Sequence, residues 1–201
     1  MNIGFLASHN GSNMQAIIDA CKAGKLQATP AVVISNNGGS GALIRAEQEE
    51  IPGYHLSSKT HPDPEKLDQA IVDLMLKYGA DIIVLAGYMK KLGAKTLSRF
   101  GGRILNIHPA LLPKYGGKGM YGIRVHEAVV AAGETESGIS IHVVDAEYDT
   151  GPIIEQTRVP VDPTDTAETL AARILQREHT FYPETLQKIV TGTITLPTQD
   201  K

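Results

Sequence analysis

A chain of 201 residues with 42% hydrophobic and 20% charged residues can bury one substantial core and is too apolar to remain disordered. Its formal net charge of -3 disfavours a nucleic-acid backbone as partner, and its single cysteine, Cys21, excludes an internal disulfide framework and suits a reducing cytoplasm. The apolar run Met1 to Ser8 is too short to cross a membrane and lacks the basic flank and cleavage site of a secretory signal. The expectation is therefore a cytoplasmic protein whose N-terminus belongs to the fold. No Cys/His spacing matches a zinc site, and no metal is expected.

Apolar runs of strand length alternate with longer amphipathic stretches, which predicts an α/β fold with a mostly parallel central sheet and helices on both faces. Ile3 to Ala7 predicts a strand, followed by a polar turn and a helix from Met14 to Lys22. Met14, Ile17, Ile18 and Cys21 share one face of that helix, so Cys21 reads as core rather than as a reactive thiol. Ala31 to Ser35 predicts the next strand, then Asn36-Asn37-Gly38-Gly39 and a helix over Ala42 to Glu50. A short strand at Tyr54 to Leu56 leads to a helix from Pro64 to Tyr78, started by Asp63-Pro64 and ended at Gly79-Ala80-Asp81. The strand Ile82 to Ala86 completes the more regular half.

Ile104 to Ile107 predicts a strand stopped by Pro109, then a Pro/Gly-rich loop to Gly122 and a helix to Ala132. A loop of that length inside a domain is more often a binding loop or lid than a linker, with a surface excursion as the alternative. Strands over Gly138 to Val144 and Pro152 to Val159 flank an acidic turn. A last helix, capped by Thr166 or Asp165, runs to Thr191. The whole reads as one domain over 1–196 with a tail at 197–201.

Ser8-His9-Asn10-Gly11-Ser12-Asn13 joins the first strand to the first helix, where unpaired N–H groups and a partial positive charge attract anions. Gly11 lets the backbone approach an anion, and Ser12 and Asn13 add donors; a well-capped turn with no ligand is the alternative. The turn is not G-x-G-x-x-G, and Ser35-Asn36 replaces the acidic residue of a nicotinamide-dinucleotide site. Gly116-Gly117-Lys118-Gly119 lacks the context of a P-loop.

Strand periodicity puts Asn106 and His108 on one side, at the carboxyl end of a strand where ligands of such sheets bind. This pairs a hydrogen-bond donor with an acid/base group, although a histidine at a strand end also serves purely structural roles. Asp149, in the turn Asp145-Ala146-Glu147-Tyr148-Asp149-Thr150-Gly151-Pro152, would favour an imidazolium at His108 if the two meet; turn geometry alone is the alternative.

Five motifs occur in order: Asn10-Gly11-Ser12-Asn13, Leu85-Ala86-Gly87-Tyr88-Met89, Asn106-Ile107-His108-Pro109-Ala110-Leu111-Leu112-Pro113, Asp149-Thr150-Gly151-Pro152, and Glu178-His179 before Tyr182-Pro183. With these motifs the chain resembles the phosphoribosylglycinamide formyltransferase family over nearly its whole length. The resemblance implies a Rossmann-like formyltransferase fold, with a nucleotide-binding half over about 1–100 and a folate and catalytic half over about 101–196. It also implies 10-formyltetrahydrofolate as co-substrate and the amine of glycinamide ribonucleotide as acceptor, with a monomer or a homodimer as the assembly.

By the same resemblance Asn106, His108 and Asp149 are catalytic, while Gly11, Ser12, Asn13 and Glu178 hold the phosphoribosyl group. Tyr88, Met89, Lys90, Lys91 and Leu92, with Asn106, Asp145, Ala146, Glu147, Tyr148 and Asp149, line the folate pocket. Met89 and Leu92 would pack on the pterin or on the protein's own core, and Lys90 and Lys91 would attract the folate's glutamate tail or stay solvated. In the implied mechanism the neutral amine attacks the formyl carbon, and Asn106 and protonated His108 donate to the oxyanion. Three positions depart from the family pattern: His9 in place of glycine, a longer loop over Gly116 to Gly122, and Pro64 near a folate-contacting arginine. Transfer to an aminoacyl-tRNA, hydrolysis of formyl-folate and a non-catalytic metabolite-binding module are the rival readings. The first would require an RNA-binding domain and a basic surface.

Overall fold

In the computed structural model, which describes residues 1–197, each of the seven apolar runs becomes a strand. Apart from Pro197, the expected tail lies outside the described residues. In chain order the elements are β1 (Asn2–Ala7), α1 (Ser12–Lys22), β2 (Thr29–Ser35), α2 (Gly41–Gln48), β3 (Gly53–His55), α3 (Pro64–Lys77) and β4 (Ile82–Leu85). There follow α4 (Ala94–Phe100), β5 (Ile104–His108), α5 (Ile123–Ala131), β6 (Glu136–Val143), β7 (Ile153–Pro160) and α6 (Ala167–Val190).

The strands form one sheet in the order β3-β2-β1-β4-β5-β6-β7. The first five are parallel, and β6 and β7 run antiparallel to their neighbours. The chain turns back between β1 and β4, so a crevice opens at their carboxyl ends, where open α/β sheets take ligands. Alternation along the strands separates two cores. Ile3, Phe5 and Ala7 of β1 pack with α1, α2, α5 and α6, whereas Leu6 packs with α3 and α4 on the opposite face. Each fully buried aliphatic or Phe side chain contributes roughly 1.5–3 kcal/mol. Cys21 packs partly buried against the first cluster, and burial pushes its thiol up.

Local signals account for most helix starts. Asp63 accepts the Glu65 N–H at 2.9 Å with Pro64 in the first turn of α3. Of the two candidate caps for α6, Thr166 takes the role through a reciprocal capping box with Thr169, while Asp165 is occupied by a bidentate pair with Arg173. Helix α4 was not expected. Its N-cap, Gly93, brings no side-chain acceptor; instead Asp68 of α3 accepts the N–H groups of Lys95 and Thr96.

Candidate active site

The turn between β1 and α1 is shaped for close approach. Gly11 sits at φ 66°, and a Cβ there would lie 3.0 Å from the Ala42 side chain. No side chain caps α1, which leaves the anion-attracting end of the helix facing the crevice. Asn13 reaches across to α6 and donates from Nδ2 to Glu178 Oε2 at 2.8 Å. Asn13 Oδ1 is buried without a partner. Burial pushes the Glu178 carboxyl up to about 7, partly offset by the Asn13 bond. Asn13 thus joins the Gly11-Ser12-Asn13 turn to Glu178 of α6 in one polar patch.

Asp149 lies at the centre of a second group. Its Oδ2 is 3.6 Å from His108 Nδ1 and its Oδ1 is 3.4 Å from His142 Nε2. Asn106 Nδ2 is 3.1 Å from the same His142 nitrogen. The structure thus gathers Asn106, His108 and Asp149, and adds His142, which the sequence reading missed. The sequence signal is local, His142 following Ser140 at the strand period between Ile139, Ile141 and Val143, and the folded register then sets it opposite Asn106.

Carbonyl oxygens only accept, so two ring protons are assigned by their partners. His108 Nε2–H donates to Tyr115 O at 2.8 Å, and His142 Nδ1–H donates to Val143 O at 3.0 Å. The other nitrogen of each ring faces Asp149. Burial lowers the His108 pKa more than Asp149 and the Tyr115 carbonyl raise it, with His142 adding to the lowering. The net direction in the free protein is toward the neutral ring. For Asp149, burial is outweighed by the close approach of His142, by the Gly117 N–H bond and by the nearby His108, and the carboxyl is held below its ordinary value.

The long loop after β5 is pinned beneath this cluster. Ser140 on β6 accepts the Leu112 N–H at 3.0 Å and donates to Ala110 O at 2.6 Å, and Gln156 of β7 donates to both Ser140 Oγ and Leu112 O. Beyond the cis Leu112–Pro113 bond, Tyr115 presents its carbonyl to His108 and Gly117 N–H donates to Asp149 at 2.9 Å. A Cβ on Gly116 would lie 2.4 Å from Leu112 Cδ2. Both Tyr115 and Asp149 adopt positive φ, 56° and 59°, a conformation sparsely populated by non-glycine residues. Buried His126 on α5, whose Nδ1 has no partner, has its pKa lowered by burial and then by neighbouring His108.

The two stretches assigned to the folate meet at their tips. Lys91 Nζ is 3.7 Å from Glu147 Oε1 and lies 5.9 Å above the Tyr148 ring. Met89 and Tyr148 are exposed, whereas Leu92 is buried in the α3/α4 core. Leu92 therefore packs on the protein itself. Asp145 organises its own turn, accepting from Glu147 N and Thr150 Oγ1, and Ala146 is exposed beside it. Tyr88, Lys90, Lys91 and Pro64 line a cleft of about 650 Å³. A groove of about 830 Å³ between α1 and α6 is lined by Ser12, Arg45 and His179. Neither is lined by Asn106, His108 or Asp149; the cluster meets the glycine-rich loop through the Gly117 N–H bond to Asp149. Among the described residues no group of three His, Cys, Asp or Glu side chains is placed to hold a metal ion, and no helix is long and apolar enough to cross a membrane.

Comparison with known proteins follows the same lines. A family model described as formyl transferase matches residues 1–186. A phosphoribosylglycinamide formyltransferase of Haemophilus influenzae is 41% identical over 194 residues, covering 96% of this chain and 89% of its own. One of Escherichia coli K12 is 41% identical over 183 residues, covering 91% and 84%. A crystal structure of a glycinamide ribonucleotide transformylase from Symbiobacterium toebii matches with a TM-score of 0.90 at 36% identity, covering 99% of this chain and 92% of that one.

Proposed function

The chain belongs to the formyl transferase family, and on that footing we propose that the Asp149 cluster transfers a formyl group from 10-formyltetrahydrofolate to the amine of 5-phosphoribosylglycinamide. The protein is an enzyme, a folate-dependent formyltransferase of purine biosynthesis. The observation that carries the assignment of roles is the meeting of His108 and His142 at the half-buried Asp149 carboxylate, with Asn106 against His142.

The nucleotide is held by the turn Gly11-Ser12-Asn13, with its phosphate at the start of α1 and its ribose hydroxyls toward Glu178. The folate lies between Tyr88–Leu92 and Asp145–Asp149. The amine nitrogen bonds to the formyl carbon, and the carbonyl electron pair moves to oxygen. Asn106 donates to that oxygen from Nδ2. His108 joins it by redirecting the Nε2–H now given to the Tyr115 carbonyl, because both ring nitrogens are engaged in the free protein. Collapse breaks the bond to folate N10; the amine loses one proton and N10 gains one, so tetrahydrofolate leaves. Asp149 holds both rings in orientation and receives or relays the amine's proton. A preorganised donor to such an oxyanion is worth roughly 3 kcal/mol, and fixing both substrates in one crevice supplies much of the remainder.

The enzyme acts on these two small molecules in the cytoplasm, without a nucleic-acid partner, as a monomer or a homodimer. Its nucleotide-binding half spans about 1–100 and its folate and catalytic half about 101–196. Mixing purified protein with 10-formyltetrahydrofolate and glycinamide ribonucleotide should give formylated nucleotide and tetrahydrofolate in equal amounts. Release of free formate independent of the amine would assign the protein to hydrolysis instead.

A further inference from the structure

Helix α4 starts directly after the loop that carries Tyr88 to Leu92, and its first turn is held by another helix. The Asp68 carboxylate, 7% exposed on α3, accepts the Lys95 N–H at 2.7 Å, the Thr96 N–H at 3.1 Å and the Thr96 hydroxyl at 2.5 Å. A Cβ on Gly93 would lie 2.2 Å from Asp68 Cγ, so the helix start and the carboxylate touch and glycine is required between them. At the opposite end the loop is tied to β1. Ser8 N–H donates to Gly87 O at 3.1 Å, and Ser8 Oγ accepts the Met89 N–H at 2.7 Å. The loop is therefore stretched between two clamps, one at the sheet and one at α3.

The Asp68 clamp faces the place where the loop does its work. Asp68 lines the 650 Å³ cleft together with Tyr88, Lys90, Lys91 and Gly93. Burial, and then the charge of Asp68, push the Tyr88 hydroxyl up to about 12, so the carboxylate lies close to the loop's first side chain as well as to its end. Leu92, buried in the α3/α4 cluster, transmits any shift of α4 to the rest of the loop, since packed cores do not deform continuously.

We propose that Asp68 is a positioning residue for the one-carbon donor: by anchoring the first turn of α4 it holds residues 87–93 in the shape the folate requires. The proposal rests on the reading of Tyr88 to Leu92 as part of the folate pocket. A carboxylate that only stabilised the fold would lower the melting temperature and leave substrate preference alone; a positioning carboxylate separates the two substrates.

The test is steady-state kinetics and thermal melting of Asp68→Ala, Asp68→Asn and Met89→Ala. Losing a helix-start acceptor on this scale predicts that Asp68→Ala raises KM for 10-formyltetrahydrofolate about tenfold, with KM for the nucleotide changed by less than about twofold. Turnover at saturating folate should be nearly retained. Asp68→Asn, whose amide oxygen still accepts from α4, should fall between, and it decides the matter by the same split if the alanine variant does not fold. A lowered melting temperature with both KM values unchanged, or both raised alike, overturns the proposal. Met89→Ala separates the two levels of the argument. If it raises the folate KM and the Asp68 variants do not, the positioning role alone is wrong; if none of the three changes that KM, the reading of the loop falls with it.

Discussion

His108 and Glu178 are both buried, and burial disfavours whichever form carries charge. For Glu178 the folded-state carboxyl titrates at about 7 against an ordinary 4.5, so the native state holds a proton that the unfolded chain has released. Its stabilising contribution is complete below about 4.5 and is lost as pH rises through about 7, a change on the order of 3 kcal/mol. His108, with its pKa lowered, acts in the opposite sense: stability falls as pH drops below the ordinary histidine value. Comparing urea stability of wild type and Glu178→Gln between pH 4.5 and 8 isolates the first effect. The wild type should lose stability relative to the variant as pH rises, and parallel curves would show that Glu178 does not titrate there. Asp149→Asn removes the charge that raises His108, so the limb of the pH–rate profile governed by that ring should move to lower pH while kcat falls. An unchanged profile would remove Asp149 from the mechanism.

At the scale of elements, β6 does more than extend the sheet. Ser140 fixes the start of the long loop, and that loop delivers the Tyr115 carbonyl and the Gly117 N–H to His108 and Asp149. Ser140→Ala should therefore cost about 1–3 kcal/mol of stability, the penalty for stranding buried polar partners, and should also lower kcat. Chemical denaturation and turnover measured on the same preparation check both; a loss of stability with full turnover would show that the loop holds its place without this anchor. These elements also mark where sequence reasoning stopped. The strands were legible as short apolar runs between turn residues, and α3 and α6 because Asp63 and Thr166 cap them locally. Helix α4 was not, because its cap, Asp68, comes from a separate helix. His142 was hidden inside a run read only as a strand, and its partner Asn106 becomes apparent only from the β5/β6 register.

Across the whole molecule, the parallel half was readable from alternating strands and helices, whereas the antiparallel run of β6 and β7 depends on pairing that no local pattern encodes. The candidate site followed the same division. Asn106 and His108 share a strand, so their common side follows from periodicity; Asp149, His142 and the Tyr115 carbonyl converge only through the folded sheet. The central claim is that these distant groups act as one unit in formyl transfer. A double-mutant cycle on kcat tests it, using His108→Ala, Asp149→Asn and the two combined, with formylated glycinamide ribonucleotide as the product followed. Groups that work together are strongly non-additive. Each single variant should lower kcat by roughly 10²–10³, the loss expected for a preorganised donor, and the double variant should be little worse than the poorer single. Losses that multiply, or singles that retain full turnover, would contradict the account.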